Sequence, residues 1–236
     1  MRPLPITYEE TEAIFRSVAE EGLRSVLVAS TEAGEGASTI AYALAQRISA
    51  TGKEVLYIDF NVCSSYPANE LCIEPTAWTI DGAPEPASFF SIPGSSLSIL
   101  AAPAAGFTNV GKLDPSRVKI TLCNLLETFD CIVGDAPCLG RRAYSGLPTA
   151  TLAAAFEAVI LVLLSGATIS NSAEAAVRQL RNADARILGV VMNDREMPHL
   201  RQELTRQAAK LDFLLPGLSQ AVERTLRRFP VLSVDY

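Results

Sequence analysis

The sequence predicts an α/β fold: a doubly wound, mainly parallel sheet with helices on both faces. Three observations lead there. Short runs rich in Val, Ile and Leu recur along the chain, as strands buried on both faces require. Segments of helical period separate them. Glycine-rich or acidic turns follow the strands, at the edge where such sheets hold ligands.

The first periodic segment, from about Tyr8 to Glu21, sets Ile14, Phe15 and Val18 on one side and glutamates elsewhere, an amphipathic helix. Ser25–Ala29 reads as a buried parallel strand. The loop Ser30–Gly36 follows, then an Ala- and Leu-rich helix from about Ala37 to Thr51, stopped by Gly52. Val55–Ile58 is the second strand and ends at Asp59. Residues 61–96 carry Pro67, Pro75, Pro84, Pro86 and Pro93, which predicts loops and short helical turns. Regularity returns with Leu97–Ala101, a helix from about Pro115 to Glu127, and the strand Cys131–Asp135. Ala158–Leu164 is the strongest strand. A helix from about Asn171 to Asn182 leads to the strand Ile187–Met192. Two further helices are expected, at about His199–Lys210 and Leu218–Arg228.

With 236 residues and no repeat or low-complexity linker, the chain reads as one domain over 1–236. It has a helical segment at 1–22, a core at 23–232 and a tail at 233–236. Hydrophobic residues make up 49% and charged residues 19%, which excludes a disordered or fibrous chain. No apolar run is long enough to span a bilayer, and residues 1–21 contain no apolar leader, so a soluble protein is expected. Five cysteines form no C-x-x-C pair, suiting a reducing compartment, and a lone His199 excludes a histidine-based zinc cluster. Net charge is −6, and residues 1–118 hold 7 basic against 14 acidic side chains. Phosphate neutralisation needs clustered Lys and Arg, so no nucleic-acid partner is expected.

Three segments fall beyond the strand ends: Thr31–Thr39, Asp59-Phe-Asn61 and Asp135-Ala-Pro137. A glycine-rich turn opening a helix directs successive backbone N–H groups at an anion, and Gly34 and Gly36 give the turn its freedom. The turn resembles the P-loop of NTPases, G-x-x-x-x-G-K-[ST]. Gly36 and Ser38 match, Thr31 stands at the first glycine, and Ala37 stands where the lysine belongs. Such a charged hydrogen bond contributes on the order of 1.5–3 kcal/mol. The chain's four lysines are Lys53, Lys112, Lys119 and Lys210, and none lies in the loop.

The order and spacing of these segments, with Val55–Asp59, Cys131–Pro137, Ala158–Leu164 and Gly189–Asn193, resemble the bacterial tyrosine kinases of exopolysaccharide synthesis. More broadly, they resemble the MinD/ParA-like ATPases. The resemblance implies nucleotide contacts at Gly34, Glu35, Gly36, Ala37, Ser38 and Thr39, with adenine read by Asn193. It implies Mg²⁺ at Ser38, Asp59 and Asp135, the two aspartates being catalytic. Asp59 would lie near the incoming tyrosine hydroxyl. It also implies ATP or ADP as ligand, or none where Ala37 disarms the loop.

Departures are plain. The family's Asp-x-Asp-x-Arg reads Asp59, Asn61 and Cys63, and Cys138 replaces a second proline. The Glu-x-x-Arg-x-x-Arg helix of ring assembly is reduced to Glu12 and Arg16, without an arginine at position 19. The terminal cluster of phosphorylated tyrosines is reduced to Tyr236. Each candidate also has a structural reading: Asp59 and Asp135 as loop caps, Ser38 as a helix starter, Asn193 as a turn former, Tyr236 as an exposed tail residue.

Three functions follow. The first is a degenerate kinase-like protein, cytoplasmic and peripheral at the inner membrane, docking to a membrane polysaccharide co-polymerase and able to form homo-oligomers. The second is an active tyrosine kinase with an atypical loop, its cation supplied by a partner. The third, a MinD/ParA-like positioning ATPase, ranks last because residues 30–39 lack that class's signature lysine.

Overall fold

The computed structural model describes residues 9–62, 66–80, 82, 84–103, 105–107, 114–140 and 148–194. The chain divides after Asn193, and all described residues but Asp194 belong to the first unit. The helices expected at 199–210 and 218–228 lie outside the described residues, as does Tyr236.

The first unit is built around one seven-stranded sheet. In chain order the elements are α1 (Glu9–Glu20), β1 (Ser25–Ser30), α2 (Ala37–Ser49), β2 (Val55–Asp59), β3 (Phe90–Ser91) and β4 (Leu97–Leu100). There follow α3 (Pro115–Leu125), β5 (Cys131–Asp135), α4 (Thr149–Ala155), β6 (Ala158–Leu164), α5 (Ser170–Asn182) and β7 (Ile187–Asn193). The strand order is β3-β4-β2-β5-β1-β6-β7, all neighbours being parallel except β3 and β4. The expected doubly wound, mainly parallel sheet is the one observed.

Alternation along the strands sorts the core into two layers. Val26, Val28, Val55, Tyr57, Val133, Ile160 and Val162 face α2 and Val18 of α1. Leu27, Leu56, Ile58, Ile132, Val159 and Leu161 face the other way, against Val118 and Leu122 of α3, Leu152 of α4 and Leu180 of α5. Both faces are therefore covered, as purely apolar strands require.

Arg24 anchors the amino-terminal edge of the sheet. Its guanidinium donates to the carbonyls of Leu126, Phe129 and Asp130, while the Arg24 and Ser25 amides donate to Glu157. This places Arg24 at the edge opposite the phosphate-type loop, as its position before β1 suggests. Glu12 of α1 bridges to Arg47 of α2 at 2.6 Å. The Arg47 guanidinium also lies 4.0 Å from the centre of the Phe15 ring.

Two elements escaped the sequence reading. Strand β3 is two exposed residues beside the proline-rich stretch, and α4 is seven residues, too short to show a period.

Packing at the centre of the sheet is tight. A Cβ on Gly134 would come within 2.8 Å of both Leu27 Cδ1 and Phe156 Cζ. Gly134→Ala is expected to cost ~1–3 kcal/mol through overpacking, read as a lower melting temperature in circular dichroism. An unchanged melting temperature would show that this layer is looser than its distances.

Candidate functional site

Strand β1 delivers the chain at Ser30 into the turn that opens α2. Gly36 caps the helix with φ +96°, a left-handed conformation that side chains rarely adopt, and a Cβ there would stand 2.5 Å from Asn193 Nδ2. The Asn193 side chain fills the space beside Gly36, and the first amides of α2 follow directly from that turn.

The loop is held from within by Glu35, 3% exposed. One oxygen of its carboxylate accepts the N–H groups of Thr31 at 2.7 Å and Glu32 at 3.0 Å. The Thr31 hydroxyl sits across both oxygens, at 2.7 and 2.8 Å, and the Thr168 hydroxyl donates at 2.5 Å from the turn after β6. The Asn193 amide donates to the Glu35 carbonyl at 2.8 Å from the end of β7. Thus the Glu35 side chain is turned into the protein, and only its backbone is available to a ligand. Ala37 and Thr39 are buried in the first turn of α2, and Gly34 is exposed at the tip.

Two acids complete the site. Asp59 and Asp135 end neighbouring strands in register, and neither is exposed. Asp59 Oδ1 accepts the Asn61 amide at 2.7 Å, and Asp135 Oδ2 lies 3.2 Å from the Tyr57 hydroxyl. Ser38 also hydrogen-bonds Asp135. Among the described residues, Asp59 Oδ2 and Asp135 Oδ1 are buried without a hydrogen-bond partner. Burial raises both carboxyls. Asp59 lies well above the usual carboxylate range, helped by the charge of Asp135 and opposed by the Asn61 amide. Asp135 is pushed up to about 7 by burial, against the hydrogen bonds from Ser38 and Tyr57.

Unpartnered buried oxygens are costly unless something meets them. Two carboxylate oxygens beside a serine hydroxyl suit a hard divalent cation such as Mg²⁺. Among the described residues no group of three or more His, Cys, Asp or Glu side chains could hold a metal alone. The donor set therefore fits Mg²⁺ that arrives with oxygens of its own, as on a phosphate.

No protein-family model and no curated protein sequence matches the chain. Solved structures do. The VpsO kinase domain aligns with TM-score 0.65 and 25% identity, covering 78% of this chain and 92% of that domain. The chain has the fold of bacterial tyrosine kinase domains. The kinase domain of Escherichia coli ETK aligns with TM-score 0.65 and 15% identity, over 77% of this chain and 71% of that one. MinD of Pyrococcus horikoshii, in complex with Mg-ADP, aligns with TM-score 0.55 and 20% identity, over 84% and 76%.

The segment after Asp59 starts inside the core. Phe60 is 1% exposed and meets Trp78, Phe107 and Phe156 with ring centres 6.1–6.3 Å away. The residue after the strand-end acid is thus part of the core. Asn61 supplies its amide to Asp59, and Cys63 lies outside the described residues. Cys138 is half-buried with a free thiol.

Sequence reading named the acids, the serine and the glycines that the structure brings together here. It missed the inward role of Glu35 and its partner Thr168, and the Tyr57 hydroxyl. An acid flanked by two left-handed glycines was the only signal for the first. The alternation of β2 was the signal for Tyr57.

Proposed function

We propose that this chain is a degenerate, kinase-like cytoplasmic protein, peripheral at the inner membrane. It supports exopolysaccharide polymerisation and export by docking to the cytoplasmic end of a membrane polysaccharide co-polymerase. One observation carries the reading: the cradle and its acids are built, yet Ala37 brings no cation to them. Among the described residues no helix is long and apolar enough to cross a membrane, so attachment through a protein partner fits.

In this reading the amides opening α2 hold a phosphate, and Ser38, Asp59 and Asp135 hold Mg²⁺. Bound Mg²⁺ would offset phosphate charge. The Tyr57 and Ser38 hydroxyls orient Asp135, and Glu35 keeps the loop in shape. Transition-state charge on a transferred phosphoryl group meets no lysine from residues 30–39, so transfer is the step most impaired.

Co-purification with the co-polymerase's cytoplasmic segment, together with polymer output in a deletion strain, tests the proposal. We expect the complex to form, and output to be restored as well by Asp59→Ala as by the natural chain. Failure to bind, or no effect of deletion on polymer, would reject the proposal.

A working kinase is the second reading, favoured by the free oxygens on Asp59 and Asp135. A partner would then supply the missing cation. Its mark is labelled phosphate on Tyr236 or on the partner's tyrosines, lost in Asp59→Ala. An absence of transfer with the partner present excludes it.

A further inference from the structure

We infer that Asn193 is a positioning residue for the turn. Its carboxamide fixes the direction of the Glu35–Gly36 peptide, and with it the direction in which the Gly36 N–H is offered to an anion. This rests on the nucleotide reading above.

The peptide lies between two fixed points. On one side, the Glu35 carboxylate accepts the Thr31 and Glu32 amides and the Thr168 hydroxyl. On the other, the Gly36 carbonyl accepts the Ile40 N–H at 3.1 Å, in the first turn of α2. Glycine takes either sign of φ, so its own sterics do not set the plane between them. A half-turn of that plane would exchange the Glu35 carbonyl and the Gly36 N–H, which stand on opposite sides of a trans peptide. The bond on the carbonyl decides between the two. Asn193 Nδ2 donates to the Glu35 carbonyl at 2.8 Å. The same nitrogen stands 2.5 Å from where a Gly36 Cβ would be, so the carboxamide fits only against glycine.

Asn193 is itself held by the sheet. It ends β7 in register with Leu164 of β6, and its carbonyl accepts the Ser165 N–H at 2.7 Å. Thr168, in the turn after β6, accepts the Leu164 N–H at 2.8 Å and donates to Glu35 at 2.5 Å. Two neighbouring strand ends therefore grip one loop residue, β6 by its side chain and β7 by its main chain. With the Glu35 carbonyl held toward Asn193, the Gly36 N–H faces the other way. In the reversed plane a carbonyl would stand in its place and repel an anion. Among the described residues, the partnerless buried oxygens of Asp59 and Asp135 point independently to a ligand at the strand ends.

Calorimetric titration in excess Mg²⁺ tests this with ADP and with inorganic pyrophosphate, which carries no base. The natural chain is compared with Asn193→Leu, which keeps a branched shape and drops the donor, and with Asn193→Ala. Melting curves confirm that the variants fold. Both variants are expected to weaken both ligands alike, by about 3- to 10-fold, as the loss of one neutral hydrogen bond implies. A loss confined to ADP would make Asn193 a reader of the base and overturn the positioning role, as would unchanged affinities. Either result leaves the nucleotide site standing. The ligand-free proteins give a second readout, in spectra of chains labelled with ¹⁵N-glycine. The Gly36 amide signal, single in the natural chain, is expected to broaden or double in Asn193→Leu as the peptide samples both orientations. A signal that stays single and sharp overturns the inference. A natural chain that binds neither ADP nor pyrophosphate fails the nucleotide reading, and the Gly36 signal then still decides whether Asn193 sets the peptide.

Discussion

Asp135→Asn is expected to stabilise the ligand-free protein at pH 8 and to abolish its thermal response to Mg²⁺ with nucleotide. Burial holds the Asp135 carboxyl at about 7, above its ordinary value of 3.8. A group whose folded-state pKa is raised favours folding while protonated. That contribution is complete below about pH 4 and is lost as pH climbs through about 7. Asp59, displaced in the same direction by burial, adds to the trend. Each unit of displacement corresponds to ~1.4 kcal/mol, so the loss across this window is on the order of a few kcal/mol. Melting temperatures of the natural chain should fall between pH 5 and 8 without Mg²⁺ and nucleotide, and recover when both are added. In Asp135→Asn the fall should be shallower and the recovery absent. Parallel pH profiles for the two proteins would mean that the Asp135 carboxyl is not the group responsible.

Glu35→Ala should be among the most damaging single changes in the loop. It strands the amides of Thr31 and Glu32 and the Thr168 hydroxyl, all of which now donate to one buried carboxylate. Each buried donor left without an acceptor costs ~1–3 kcal/mol. A total near 3 kcal/mol or more would lower the melting temperature by about 6–12 °C in a domain of this size. Glu35→Gln retains one acceptor oxygen and should recover more than half of that loss. Hydrogen exchange gives a local readout, because the Thr31 and Glu32 amides should exchange quickly in Glu35→Ala while β1 stays protected. A cost below about 1 kcal/mol would mean that water replaces the carboxylate readily.

The strands could be read from sequence because burial on both faces leaves only one kind of composition, as in Ala158–Leu164. Asp59 and Asp135 were legible for a related reason: a carboxylate after a wholly apolar run must sit at the end of a strand. Glu35 was not. An acid in a polar loop ordinarily faces water, and only the fold brings Thr168, 133 positions away, to receive it. Phe60 was equally opaque, since its burial depends on Trp78 and Phe107 from the irregular stretch and the turn after β4. Helix α4 and strand β3 are too short for a period to declare itself.

The burial of Phe60 ties the segment after Asp59 to the core. That segment's first residue is a keystone of the aromatic cluster with Trp78, Phe107 and Phe156. Asn61, next along, is half-buried and gives its backbone amide to Asp59, so the turn that carries the acid is pinned on both sides. The strand-end acid is thereby held in place by the core itself and not by the loop that follows it.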